Sequence, residues 1–179
     1  MRTEQINKWI EEGGELPQDL TPKEKEHLEV LGWKARRGWY DNGQLQYEYN
    51  FLHGKEHGKW RRWHKNGQLW LERNYIHGKW HGANRRWYDN GQLEHERNFL
   101  HGKKHGVDRQ WYENGQLHYE YNLLHGKLHG KCPSWHRNGQ LWLERNFLHG
   151  ILHGVYRRWD PADGRLWLDE EWFYGNKIK

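Results

Sequence analysis

Arg62–Arg85 reads RWHKNGQLWLERNYIHGKWHGANR, and its reading decides the fold because the chain repeats it. Asn-Gly-Gln begins at Asn42, Asn66, Asn90, Asn114 and Asn138, a period of 24 residues. A Trp precedes each turn at Trp39, Trp63, Trp87, Trp111, Trp135 and Trp159, and a Leu follows at Leu45, Leu69, Leu93, Leu117 and Leu141. Then come Glu48, Glu72, Glu96, Glu120 and Glu144, and a closing His-Gly-x-x-His-Gly that runs first from His53 to Gly58 and last from His149 to Gly154. A fixed period of this length marks a repeat architecture, in which one unit cannot bury its apolar side without a neighbour.

Each unit reads as two strands, Lys59–Lys65 and Gln68–Ile76 in the quoted copy. The Asn-Gly pairs Asn42-Gly43, Asn66-Gly67, Asn90-Gly91, Asn114-Gly115 and Asn138-Gly139 are the turns. Asn-Gly between apolar-containing runs is a strong hairpin signal because both residues tolerate positive φ. A two-residue turn would set His64 opposite Leu69, whereas a three-residue turn with Gly67 left-handed sets Trp63 there. The second is preferred, since it pairs the two large apolar positions of the unit. The expected core is therefore the row Trp39, Leu45, Trp63, Leu69, Trp87, Leu93, Trp111, Leu117, Trp135, Leu141, Trp159 and Leu166. Parity puts Leu69, Leu71 and Tyr75 on one face and Glu72 and Asn74 on the other. The fold class expected is mainly β: an elongated single antiparallel β-meander of hairpin repeats, about a dozen strands, with a short N-terminal helical cap.

The ends differ from the middle. Residues 1–32 read as two short helices, the first capped by Thr3 and ended by Gly13-Gly14. The second opens with a capping box in which Thr21 is the cap, Pro22 the first helical residue and Glu24 the reciprocal partner. They are expected to cover the open end of an array spanning 33–179, with repeats starting near 38, 62, 86, 110 and 134. The last unit, 158–179, replaces the Asn-Gly turn by Asp160-Pro161-Ala162-Asp163-Gly164 and lacks a closing His-Gly pair. It reads as a terminal cap whose exposed strand, near Trp167 to Phe173, could pair with a second copy to give a homodimer.

Composition narrows the function classes. Only 34% of the chain is hydrophobic, yet it holds 14 Trp and 10 Tyr, which suits a thin sheet covered by rings. Residues 1–32 carry four Lys/Arg against eight Asp/Glu, and the remainder 25 against 16, so an acidic segment precedes a basic array. A single cysteine, Cys132, excludes an internal disulfide and an all-Cys zinc site. The N-terminus lacks the apolar stretch of a secretory signal and no run is long enough to span a bilayer. The expected location is intracellular and soluble.

The unit W-[YH]-x-N-G-Q-L-x-x-E-x-N-[FYL]-[LI]-H-G-x-x-H-G resembles the MORN repeat, in the variant class with an Asn-Gly hairpin, over about 140 residues. The resemblance implies a row of β-hairpins in one sheet, and a scaffold that organises proteins, sometimes at membranes. Arrays similar to this one occur in bacteria, many under an antitoxin label, and in large DNA viruses.

Three constellations suggest chemistry. The paired histidines, such as His53 and His57, have a spacing that could bring two imidazoles together. Zinc needs three or four convergent ligands and no carboxylate or thiol recurs beside them, so no metal residue is assigned. Glu48 and its equivalents occupy identical settings, whereas catalysis needs neighbouring groups with unlike pKa values. No catalytic residue and no cofactor are expected, and these carboxylates should pair with Arg61, Arg62, Arg85 or Arg86. The variable positions remain. Among residues 46, 70, 94, 118 and 142, and among 56, 80, 104, 128 and 152, Trp70, Trp80, Trp142 and Leu152 break a polar trend. They either contact a partner or pack on one another or on the helices. The function expected is a non-enzymatic scaffold for protein–protein interaction, using Trp70, Trp80, Trp142, Leu152, Arg61, Arg62, Arg85 and Arg86. The alternatives are an antitoxin-like neutraliser of one protein, and a basic surface for anionic lipid or nucleic acid.

Overall fold

A computed structural model describes residues 2–13 and 16–179, the side chains of Arg2 and Thr3 excepted. Helix α1 spans Arg2–Glu12 and helix α2 spans Pro22–Val30. The box at Thr21 forms: its hydroxyl accepts from the Glu24 N–H at 3.3 Å, and the Glu24 carboxylate accepts from the Thr21 N–H at 2.7 Å. Thr3 lies inside α1 rather than before it, which corrects its assignment as a cap, and Gly14 lies outside the described residues. Ile6 and Ile10 of α1 and Leu28 of α2 bury against Leu52 of the first repeat, ringed by Trp9, Leu16, Leu20, Leu31 and Trp33. A fully buried Ile contributes about 2–3 kcal/mol, so this cluster holds two helices too short to persist alone.

The chain forms two compact units, Met1–Gly91 with Leu100–Gly102, and Gln92–Phe99 with Lys103–Lys179. The helices belong to the first. In each unit the remaining structure is an antiparallel β-meander. Trp33–Trp39 pairs with Leu45–Leu52 and Gly58–Trp63 with Leu69–Ile76 in the first, and Lys103–Trp111 pairs with Leu117–Leu124 and Ile151–Trp159 with Leu166–Phe173 in the second. The chain has 17 strands among the described residues, more than the dozen expected, because three return strands are broken, one of them twice, and the tail adds a strand. In all three a break comes at the second His-Gly, while Lys103–Trp111 and Ile151–Trp159 run through it. Gly58 has φ +71°, so the backbone bulges there and pairing resumes two positions out of step, Phe51 with Glu56 but Glu48 with Arg61. The Asn50 amide donates to the Lys59 carbonyl across this bulge, as Asn74 does to Ala83, which explains the recurring Asn two residues after the Glu.

The two turns of a unit have different chemistry. At Asn-Gly, His64 N–H donates to Gln68 C=O at 2.8 Å and Gly67 N–H to His64 C=O at 3.0 Å, with Gly67 at φ +84°. This is the three-residue turn, and Trp63 sits opposite Leu69. At His-Gly, His53 and Gly54 both take positive φ, +49° and +76°, and Leu52 pairs with Lys55. That is the two-residue mirror-image turn whose twist matches the strands. The same pair of left-handed residues closes the last unit as Tyr174-Gly175, so the tail does return, as strand Asn176–Lys177.

One further irregularity reassigns the faces. Trp63 pairs with Leu69 but Arg62 pairs with Leu71, so Trp70 is an extra residue in a β-bulge. The same shift places Gln46, His118, Trp142 and Trp167 in bulges. An extra residue inverts the parity beyond it. Leu69 therefore shares the face of Trp63, Arg61 and Glu72, not that of Leu71 and Tyr75 as alternation alone suggested. Its members are half-buried, and Trp39 and Leu166 are exposed, so the Trp–Leu row is no sealed core. The buried apolar side chains are instead the helix cluster together with Tyr75, Phe99, Cys132 and Leu143. The helices lie against the first repeats near the His-Gly turns and leave the strand Trp33–Trp39 largely exposed.

Candidate interaction surfaces

Register fixes two faces in each unit, since directly opposed side chains share a face. One carries a charge ladder. In the first unit Arg37 pairs with Glu48 at 2.5 Å, Arg61 lies 3.9 Å from Glu48 and 2.9 Å from Glu72, and Arg85 lies 4.0 Å from Glu72. In the second, Arg109 pairs with Glu120 at 2.6 Å, and Arg157 lies 3.7 Å from Glu144 and 2.8 Å from Asp169. Pro133 stands where the other repeats have Arg, so the ladder has no cation there and Glu144 takes Lys131 at 3.6 Å instead. Each Arg doublet is thus divided. Arg61 and Arg85 join the ladder, while Arg62 and Arg86 face the other way, opposite or beside Leu71.

The other face is aromatic and cationic. Tyr47 stacks on Tyr49 and Tyr49 on Trp60, with ring centroids 4.7 and 4.3 Å apart. Arg62 lies over the Trp70 ring at 5.0 Å, and Arg73 over Trp80 at 5.2 Å. In the second unit Arg145 lies over Tyr121 at 5.7 Å and over Phe147 at 5.6 Å, and Trp142 lies beside His136 at 5.8 Å. Leu152 pairs with Phe147. Of the eight candidate contact residues, Trp70, Trp80, Trp142, Leu152, Arg62 and Arg86 therefore share this type of face, and Arg61 and Arg85 are spent on carboxylates. The four apolar members are half-buried.

Four members of the variable set, Gln46, Trp70, His118 and Trp142, are bulge residues. A bulge re-aims its side chain and leaves its backbone outside the ladder of pairs. Five hairpins thus present one side chain of free choice at an equivalent place: Gln46, Trp70, His118, Trp142 and Trp167. Burial against its neighbours pushes the His118 imidazole below its ordinary pKa.

In the first unit a cleft of about 1040 Å³ opens between α2, the residues before it and the ladder face. Leu20, Leu28, Trp33, Leu45 and Trp63 supply its apolar wall, and Lys25, Arg37, Lys59 and Arg61 its cations.

One cluster escaped the sequence reading. Asp108, 5% exposed, accepts from His95 at 2.7 Å, Arg97 at 3.1 Å and Lys104 at 3.2 Å, and lies 3.4 Å from the Tyr119 hydroxyl. Burial opposes its ionisation, but the His95 hydrogen bond and the Arg97 and Lys104 charges outweigh that and hold its pKa below the ordinary value. Burial and the Asp108 charge raise the Tyr119 phenol. The equivalent positions hold Arg36, Trp60, Asn84, Cys132 and Tyr156, so Asp108 is a departure from the repeat. The signal lay in the register: an acid thirteen residues after a His that occupies an otherwise Tyr or Leu position.

The histidines pair between turns, not within one. His57 meets His77 and His129 meets His149, each with ring centroids 5.0 Å apart. His57 is fully buried; its Nε2 hydrogen-bonds the Ile10 carbonyl and its Nδ1 accepts from the His77 N–H at 3.3 Å. Burial lowers its pKa, only partly offset by the Ile10 carbonyl, with the His77 charge adding to the fall. Among the described residues no three His, Cys, Asp or Glu converge as a metal site, and no helix is long and apolar enough to cross a membrane.

The family model described as "MORN repeat variant" matches five consecutive segments, residues 35–53, 56–77, 80–101, 104–125 and 128–149. No curated protein matches the chain. Among solved structures, an S. aureus TarM mutant in complex with fondaparinux, alpha-GlcNAc-glycerol and UDP is 8% identical, with a TM-score of 0.26. That alignment covers 93% of this chain and spans only 27% of the other.

Proposed function

Because the chain belongs to the MORN repeat variant family, a family of repeat scaffolds, we propose that it binds protein partners through the bulge-borne side chains of its aromatic face. The observation that carries this reading is the recurring bulge. The register shift that holds the residue is the same in these four hairpins while the residue changes from Gln46 to Trp70 to His118 to Trp142. A scaffold with fixed positions and variable contents is how a repeat protein selects a partner. Trp70 and Trp142, each beside a His and half-buried, are pre-positioned with few rotamers left to lose, which favours hot-spot contacts.

Arg61, Arg85, Arg109 and Arg157 are engaged by carboxylates, which removes much of the basic excess from the ladder face. A binding role rather than catalysis also fits Asp108, whose carboxylate is saturated by its own cationic neighbours. The test is capture from the native source with the tagged chain and with Trp70→Ala and Trp142→Ala, at low and moderate salt. Protein retained at both salts and weakened about tenfold or more by either substitution supports the reading. A single stoichiometric protein would specify a neutraliser. Nucleic acid or anionic lipid lost at moderate salt, with both variants indifferent, would overturn it.

A further inference from the structure

We propose that the two open sheet edges of this chain pair with one another between copies. The strand Trp33–Trp39 of one molecule adds antiparallel to the strand Leu166–Phe173 of a second, with Arg37 opposite Asp169. This rests on the reading of the array as a protein-binding scaffold, and names a second copy of the chain as one partner.

Three independent features select this pairing. The first is charge. Inside a unit each ladder residue has an opposite charge on both sides, as Glu48 lies between Arg37 and Arg61. Arg37 has Glu48 on one side only, and Asp169 has Arg157 on one side only. Each end of the ladder lacks the charge that the other end offers. The flanking residues agree: Lys34 and Arg36 lie on one strand, Glu170 and Glu171 on the other.

The second is exposure. All ten interior members of the Trp–Leu row are half-buried, while Trp39 is 59% and Leu166 46% exposed. In the repeat register Leu45 is followed by the bulge and then by Tyr47 opposite Arg62, which sets Leu45 beside Trp63 of the next hairpin. Placing Arg37 opposite Asp169 sets Leu166 beside Trp39 in the same way. The two exposed members of the row cover each other.

The third is backbone parity. Gly32 C=O accepts from His53 N–H, so the even residues of the first strand bond inward. Trp33, Ala35 and Arg37 then turn their N–H and C=O groups to the open side. On the last long strand, Glu171 bonds outward, its N–H to the Lys179 carbonyl and its carbonyl to the Ile178 N–H, so Asp169 also bonds outward. Arg37 and Asp169 are thus both outward-bonding residues, as a hydrogen-bonded antiparallel pair requires. A register one residue away fails on charge, on the Trp39–Leu166 contact and on parity together.

Each copy carries one edge of each kind, so the contact is heterologous and its product is a ring or a filament of several copies. The tail occupies Glu171, which limits the pairing to a short stretch and makes it concentration-dependent. The test is sedimentation velocity on the full chain over about two decades of concentration, at low salt. The expected result is a mass of 22.1 kDa when dilute, rising through multiples of it. Arg37→Glu opposes Asp169, and Asp169→Arg opposes Arg37; both should stay at 22.1 kDa throughout while keeping the wild-type circular dichroism. A wild type that stays at that mass at every concentration overturns the proposal, as does association that persists in both variants. Capture of a different protein through Trp70 and Trp142 is unaffected by either failure, so the two readings fall separately.

Discussion

Replacing Asp108 tests the claim that a buried carboxylate, not aromatic packing alone, organises its part of the second unit. Breaking a buried ion pair by removing one partner costs about 3–5 kcal/mol when the other is left uncompensated. Arg97 and Lys104 are about two-fifths exposed and can rehydrate, so their stranding costs little. His95, at 13% exposure, cannot, and the Tyr119 hydroxyl loses its nearest acceptor. The expected cost of Asp108→Ala is therefore about 2–3 kcal/mol, and that of Asp108→Asn, which keeps an acceptor for His95, about 1 kcal/mol. Urea unfolding followed by tryptophan fluorescence measures both. A double-mutant cycle with His95→Ala should give a coupling of about 1–2 kcal/mol, because the pair is 2.7 Å apart. The pH dependence carries a sign. Asp108 is held below its unfolded value, so the stabilisation is present above the ordinary carboxylate pKa and is lost as pH falls through the lowered one. The Asn variant lacks that acid limb. An Ala variant within 0.5 kcal/mol of wild type, or additivity with His95→Ala, would refute the reasoning.

Acid should release α1: His57 is neutral in the fold with its pKa lowered, so its contribution is present above about 6.5 and is lost as pH falls below that. Intrinsic-rate-corrected amide exchange in Arg2–Glu12 should quicken between neutral pH and about pH 5, and unchanged protection would count against the His57–Ile10 contact. Gly67→Ala should destabilise by about 1–2 kcal/mol, because φ is +84° and a Cβ would lie 2.9 Å from the Gln44 amide oxygen. Gly43→Ala, at φ +81° with open space around it, should cost less, and equal costs in thermal unfolding would mean that the contact between turns is unimportant. Glu72→Gln should cost about 1–2 kcal/mol by stranding Arg61, while Arg62→Gln, its chain neighbour's variant on the opposite face, should cost under about 1 kcal/mol in the same urea assay.

Much of the fold was legible because its signals are local. The Asn66-Gly67 turn length followed from pairing Trp63 with Leu69, and α2 followed from Thr21, Pro22 and Glu24. What failed was the assumption that parity continues along a strand. Trp70 looks like an ordinary strand residue, and only the change from Trp63–Leu69 to Arg62–Leu71 reveals it as a bulge. That misplaced Leu69 and its equivalents, and left the candidate list mixed: Arg61 and Arg85 belong to the ladder, and Arg62 and Arg86 to the other face. Asp108 and His95 were overlooked because they sit thirteen residues apart, in different strands of the register.

By itself the sequence determined the repeat, its 24-residue period, the hairpins and the helices, because turn preference, capping and periodicity act over a few residues. The tertiary structure decided which side chains share a face, which charges are spent and which edges stay open. Those depend on cross-strand register, and a single inserted residue per hairpin resets it for everything that follows.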